Sequence, residues 1–198
     1  GVWLADHSDK WYSLPLSMLS QVSISIPSFC MAIFLISIFT VGLKWLPSIG
    51  FVSFSESPSG WLKSLILPSC SLALGTSAIV IRYVKASVNG QRKQDYVRTA
   101  YSKGLGKNKV MYRHVLRNSL IPVITIFGMT AADILGGSII VENVFSMPGI
   151  GRLISVSISS RDLPLLQGLT FYLALIVVVC NFAVDLIYSL VDPRIRLK

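Results

Sequence analysis

Few residues in this chain of 198 have both the type and the spacing to do chemistry. His7 and His114 stand alone, without ligand-spaced partners, and read as loop or helix-surface histidines. Cys30, Cys70 and Cys180 lie inside apolar runs without metal-ligand spacing, so they read as small buried hydrophobes. No Walker A glycine-lysine pattern and no HExxH run occurs, which leaves no motif for nucleotide hydrolysis or zinc-dependent hydrolysis. Charge is the one concentrated feature. Ten of the eighteen Lys and Arg residues fall between Arg82 and Arg117, against a single acid there, Asp95. Cations at that density can meet nucleic-acid phosphates, anionic lipid or a protein partner, or can simply hold a segment on one side of a membrane.

The elements that carry this cluster are apolar. The chain is 53% hydrophobic and 14% charged, with a mean hydropathy of +0.66, a balance that points to a membrane protein rather than a soluble domain. Four stretches are long enough to cross a bilayer core: approximately Leu14 to Leu43, Leu62 to Val84, Leu120 to Val141 and Leu165 to Val191. Pro27 and Pro68 fall within the first two, where bundled membrane helices tolerate proline. Buried soluble helices are the alternative, and four such lengths in so short a chain weigh against them. The sequence opens on Gly1 with no basic n-region or cleavage site, and the N-terminus of a longer protein is expected to be missing.

Charge sets the expected direction. The loop from Lys44 to Trp61 carries one lysine, the segment from Glu142 to Pro164 two arginines, and the tail DPRIRLK three basic residues. The positive-inside rule then places the central loop, the C-terminus and the start of the chain in the cytoplasm, with Trp45 and Trp61 at the outer interface.

Orientation explains the sign of the central charge but not its pattern. Residues 95–109 read DYVRTAYSKGLGKNK, in which Tyr96, Val97, Ala100, Tyr101, Gly104 and Leu105 recur at the spacing of one helix face. Asp95 suits the start of that helix and Gly104 its end. Beyond it, Lys109, Arg113 and Arg117 form a basic stripe at intervals of four, opposite Met111, Val115 and Leu120. A short helix across the membrane plane, followed by a second rising into the third span, is expected. Nucleic-acid binding and lipid contact need neither the apolar face nor the glycine stop; a protein partner does.

Polar residues inside the spans narrow the other candidates. Asp133 sits near the middle of the third span, where an acid is costly and faces a water-filled path or a neighbouring helix. Gly136 and Gly137 read as a site of close helix approach. Asn181 and Asp185, four apart, read as interior packing. Glu142 and the SMPGIGRL stretch, Ser146 to Leu153, read as a shaped outer loop.

These stretches resemble a known family. DYVRTAYSKGLGKNKVMYRHVLRNSLIPV looks like the cytoplasmic EAA loop of ABC importer permeases of the oligopeptide, dipeptide and nickel group. Arg98, Thr99, Ala100 and Gly104 occupy the positions of the family's Glu-Ala-Ala and glycine; the departure at the first two matches this group's own version. The closing Leu-Pro appears shifted, as Ile121-Pro122. SIPSF, WLPSIGF, ILGGSIIVENVFSMPGIGRL, RDLPLLQG and DLIYSLVDPRIR extend the likeness along the chain.

The resemblance implies an all-α integral membrane protein, a type I importer helical bundle with four spans in this fragment and the first two missing. Residues 1–198 would be one transmembrane domain, with the coupling loop at 85–120 inside it. It implies a permease of a bacterial or archaeal cell (inner) membrane, paired with a second homologous permease. Two cytoplasmic ATPase subunits would bind and use ATP, and an extracytoplasmic solute-binding protein would deliver cargo. This chain would itself hold no catalytic site, metal or cofactor, and would contact membrane lipid but no nucleic acid. Tyr96, Val97, Arg98, Thr99, Ala100, Gly104 and Leu105 would couple to the ATPase, with Tyr96, Val97 and Ala100 as the docking face and Gly104 as the turn. The resemblance does not mark Asp133, which is the pathway candidate by its place in the third span; Glu142, Phe145, Pro148, Gly149 and Gly151 are the external-loop candidates by the shape of their segment. Cargo stays open between peptides and nickel. The alternative is an ion-coupled carrier or channel whose basic loop only marks topology.

Overall fold

A computed structural model describes residues 1–7, 10–47 and 50–191. The tail motif at 192–198, the end of DLIYSLVDPRIR and part of WLPSIGF lie outside the described residues. The chain is helical, and no strand occurs among the described residues. In order the helices are α1 (Val2–Asp6), α2 (Ser13–Ser25), α3 (Ser28–Leu35, continuing as a π-helical turn over Ile36–Gly42), α4 (Pro58–Arg92), α5 (Asp95–Ser102), α6 (Lys107–Lys109), α7 (Leu116–Val144), α8 (Ile150–Ser160) and α9 (Leu163–Val191). A second π-helical stretch, Val110–Val115, joins α6 to α7.

Among the described residues three single helices are long and apolar enough to cross a membrane: Pro58–Arg92, Pro122–Val144 and Leu163–Ile187. They contain or closely match the second, third and fourth expected spans. The first expected span falls on α2 and α3, which together are long and apolar enough to count as a fourth, broken span. Between α2 and α3 the helix breaks, and the pair is bent by 109°. Proline explains the break. Pro27 has no N–H to donate, its backbone sits at φ −58°, ψ 146°, and its ring disfavours the helical region for the residue before it. Pro68, by contrast, stays inside α4, where the Ser71 hydroxyl donates to its carbonyl at 2.7 Å.

Local chemistry sets the ends. Ser57 caps α4, its Oγ accepting from Gly60 N at 3.2 Å, with Pro58 at the first helical position. Asp162 does the same for α9, accepting from Leu165 N at 3.1 Å.

Packing divides the chain into two compact units. One comprises Gly1–Val22, Ser77–Thr130 and Val179–Lys198; the other comprises Ser23–Thr76 and Ala131–Val178. The core of the first is Ala5, Val88, Val97, Ala100, Val110, Met111 and Val115. The core of the second is Ala32, Leu35, Leu67, Val141 and Phe145. Most apolar surface stays outside these clusters. No residue of the most apolar window of α9 is buried, and Phe171, Val178 and Phe182 are all exposed. Cys30 and Cys70 are exposed and Cys180 half-buried, so the cysteines are not core residues of this chain. Apolar helices that leave this much surface uncovered fit a lipid or subunit environment.

Candidate functional site

The basic loop folds as a capped helix and a continuous riser. Gln94 enters in extended geometry (φ −75°, ψ 151°), and Asp95 occupies the first turn of α5, where its charge complements the helix dipole. The far end is a Schellman motif. Gly104 adopts φ +77°, its N–H donates to Tyr101 O at 2.9 Å, and Leu105 N donates to Ala100 O at 3.3 Å. Gly104 therefore supplies the turn expected of it, in a backbone region that side chains resist.

The apolar face of α5 points inward. Val97 is 3% and Ala100 6% exposed, packed with Ala5, Val88, Val110, Met111 and Val115; Tyr96 and Leu105 sit against the same cluster. The Tyr96 hydroxyl donates to Gln91 Oε1 at 2.8 Å on α4. Tyr96, Val97 and Ala100, expected as the docking face, are packed against their own chain. The physical reason is economy of surface, because an eight-residue helix has no hold on the protein unless it buries its apolar stripe. The face left outside carries Arg98, Thr99, Tyr101, Ser102 and Lys103. On it the Thr99 and Ser102 hydroxyls donate back to Asp95 O and Arg98 O, leaving the Arg98 guanidinium, 4.0 Å from Asp95 and mostly exposed, and the half-exposed Tyr101 ring as its largest exposed groups.

After Gly106 the chain rises through α6 and the π-helical turn into α7 without interruption. Lys109, Arg113 and Arg117 form the expected exposed basic stripe, and Met111 and Val115 are buried opposite; Leu120 is exposed instead.

One functional candidate escaped the sequence reading. Asp6, at the end of α1, meets Lys107 Nζ at 3.0 Å through Oδ1 and accepts its hydrogen bond at 3.2 Å through Oδ2. Arg92 Nη2 lies 3.6 Å from Oδ1. The Lys107 hydrogen bond, followed by the Lys107, Arg92 and His7 charges, holds the Asp6 carboxyl below its ordinary range despite partial burial, so it is ionised at neutral pH. No local pattern marks it, because its partners lie 86 and 101 positions away.

The remaining candidates separate. Asp133 is exposed on α7 and has no hydrogen bond or ion pair with a described residue. Asn181 and Asp185 are exposed rather than packed inside; with Thr125, Gly128, Met129 and Val184 they line a cleft of about 440 Å³. Gly137 does mark a close approach, within 3.5 Å of Leu72 for an added Cβ, whereas Gly136 faces open space.

The SMPGIGRL segment is partly helical: α8 starts at Ile150. Phe145 is buried in the second core, and Ser146 turns the chain at φ 52°. The Glu142 carboxylate accepts from Arg152 N at 3.2 Å at the start of α8, and Arg152 Nη1 donates to Ser146 O at 2.8 Å. A Cβ on Gly149 would overlap the Glu142 carboxylate, and one on Gly151 would overlap the Ile139 backbone. Pro148 is exposed. Glu142, Phe145, Gly149 and Gly151 thus have structural duties that seat α8 on the end of α7.

Comparison with known proteins adds the wider context. Residues 1–197 match the family model described as binding-protein-dependent transport system inner membrane component. A putative peptide transport system permease protein of Brucella abortus is 40% identical over 99% of this chain and 62% of its own length. The dipeptide transport system permease protein of Bacillus subtilis is 41% identical, over 90% of this chain and 56% of that protein. The glutathione transport system permease protein of Shigella flexneri is 40% identical over 100% of this chain and 62% of its own length. The chain therefore spans about three fifths of the length of these relatives.

Proposed function

This chain belongs to the family of binding-protein-dependent transport system inner membrane components, and from that premise we propose that it is the larger part of a permease subunit of an ATP-driven ABC importer for peptides. The names of its relatives, which specify peptide, dipeptide and glutathione transport, favour a peptide cargo over nickel. A second permease completes the path, and a solute-binding protein delivers cargo from outside. Two separate ATPase subunits supply the hydrolysis, so this chain acts by positioning and movement. Asp133, an unpaired acid within a span, faces the path or the second permease, because lipid would penalise its charge by about 2.5–3.5 kcal/mol. The basic loop at 85–120 is cytoplasmic, and Glu142 to Gly151 lie outside.

One observation carries the coupling role: α5 has two faces with different duties. Its inner face fixes it to the C-terminal part of α4 and to the π-helical stretch that leads into α7; its outer face presents Arg98 and Tyr101. A helix fixed on one side and free on the other can receive a push from an ATPase groove and hand it to α7. Arginine and tyrosine are residue types that dominate protein contacts.

The experiment uses the complete transporter in proteoliposomes. Arg98→Glu combined with Tyr101→Ala should weaken ATPase co-purification by about tenfold or more, with membrane insertion unchanged. ATP-dependent peptide uptake should fall with it. Wild-type ATPase retention and uptake would remove the coupling role from Arg98 and Tyr101, whereas uptake by the unmodified transporter that follows an ion gradient without ATP would favour an ion-coupled carrier. Orientation has its own check: a lone cysteine at Ser57 should react with an impermeant reagent from outside, and one at Asn108 should not until the membrane is opened.

A further inference from the structure

We propose that Asp6 is the positioning residue of the basic loop: its carboxylate latches the riser at Lys107 to α1 and to the end of α4, so that movement of α5 is passed to α1 as well as to α7. This rests on the coupling role proposed above.

The loop cannot be held by its own acid. Asp95 reaches Arg98 only at 4.0 Å, with both side chains almost wholly exposed, a pair that contributes little. The acid that holds it comes from the other end of the sequence. Asp6 is three-quarters covered, contacts Lys107 through both carboxylate oxygens, and has Arg92 as a second cation. Arg92 closes the junction from the other side, its Nη1 donating to Ala5 O at 2.9 Å. Directly beneath, Ala5, Val88 and Val110 have no exposed surface.

The polar latch therefore sits at the edge of an apolar contact that stands without it. Losing the latch should leave the fold intact and loosen only the registration of Lys107 against α1. Beside the pair, a cleft of about 280 Å³ lined by Trp3, Asn108 and Tyr112 gives the lysine room to part from Asp6 without rebuilding the core. That is the arrangement needed for a contact that transmits motion.

The test is a double-mutant cycle in the complete transporter, reading peptide uptake per ATP hydrolysed alongside assembly with the second permease. Asp6→Asn keeps the volume and removes the charge, and Lys107→Gln removes the other partner. Each should lower the uptake-to-hydrolysis ratio by about two- to fivefold with assembly unchanged. The double variant should be no worse than the worse single variant, because both remove one contact. Ratios at the wild-type level, additive losses, or a loss of assembly that accounts for the defect would each overturn the proposal. If the unmodified transporter shows no ATP-dependent uptake, the importer role fails first; if it couples normally and the variants do too, only the latch fails.

Discussion

Two glycine-bearing turns look alike in the sequence, KGLGK at 103–107 and MPGIGR at 147–152, yet they need glycine for opposite reasons. At the first, a Cβ on Gly104 would meet nothing within 4 Å; only the backbone angle of φ +77° asks for glycine. At the second, Gly149 and Gly151 avoid positive φ, but a side chain on either would collide with Glu142 or with the Ile139 backbone. The first is a torsional stop that ends a helix in open space. The second is a packing device that brings one helix down on another. A turn standing clear of its surroundings suits a part that must meet a partner, and a turn with no room for a methyl group suits a part that must not move.

The largest effect should come from the packed turn. Gly151→Ala sets a methyl group against backbone, which cannot rotate away, and should destabilise by about 2–3 kcal/mol. The midpoint of thermal unfolding in detergent should fall; an unchanged midpoint would break the distinction between the turns. Gly149→Ala should cost less, about 1.5 kcal/mol, because Glu142 can swing aside and loses only its hydrogen bond at the start of α8. In a Glu142→Ala background the same substitution should cost almost nothing more, and a full additional loss would mean that the contact with Glu142 is not the reason for the glycine.

Gly104→Ala comes next, at about 1 kcal/mol for a side chain held at positive φ. Gly104→Asn should recover most of that, since asparagine tolerates the left-handed region. The same pair should be indistinguishable at Gly151, where angle is irrelevant and both side chains collide. If asparagine rescued nothing at Gly104, the torsional account would fall.

The sequence made the loop legible in one respect and misleading in another. Periodicity located α5 and its stop, because helix face and glycine geometry are local properties. It did not say which way the face points: an apolar stripe serves equally to dock a partner or to fasten the helix to its own chain, and Val88 and Met111 decide for the latter here. The three long spans were legible from length and hydropathy. The break at Pro27 was not, because Pro68 carries the same signal inside an unbroken helix. Asp6 was invisible, since a pair formed across 101 positions leaves no spacing to read. Helix α8 was obscured by Pro148 and Gly149 just before it and by Gly151 in its first turn, which describe its entry rather than its body.

Gly106 supplies the smallest and sharpest test. It lies two residues beyond Gly104 in the same KGLGK turn, so a rule that glycines in this motif are required would include it. Neither physical reason applies. Its backbone is extended at φ −65°, ψ 151°, open to any residue, and an added Cβ would meet nothing within 4 Å. It also precedes Lys107 at the N-cap of the riser, a position where serine can accept a hydrogen bond from a free backbone N–H two or three residues on. Gly106→Ser should therefore hold stability or raise it by about 0.3 kcal/mol, against the loss at Gly104. Unfolding midpoints of the two variants, measured side by side, decide it: a loss at Gly106 as large as that at Gly104 would mean that this turn bends further in use than the present backbone shows, and that torsional freedom is needed at both glycines.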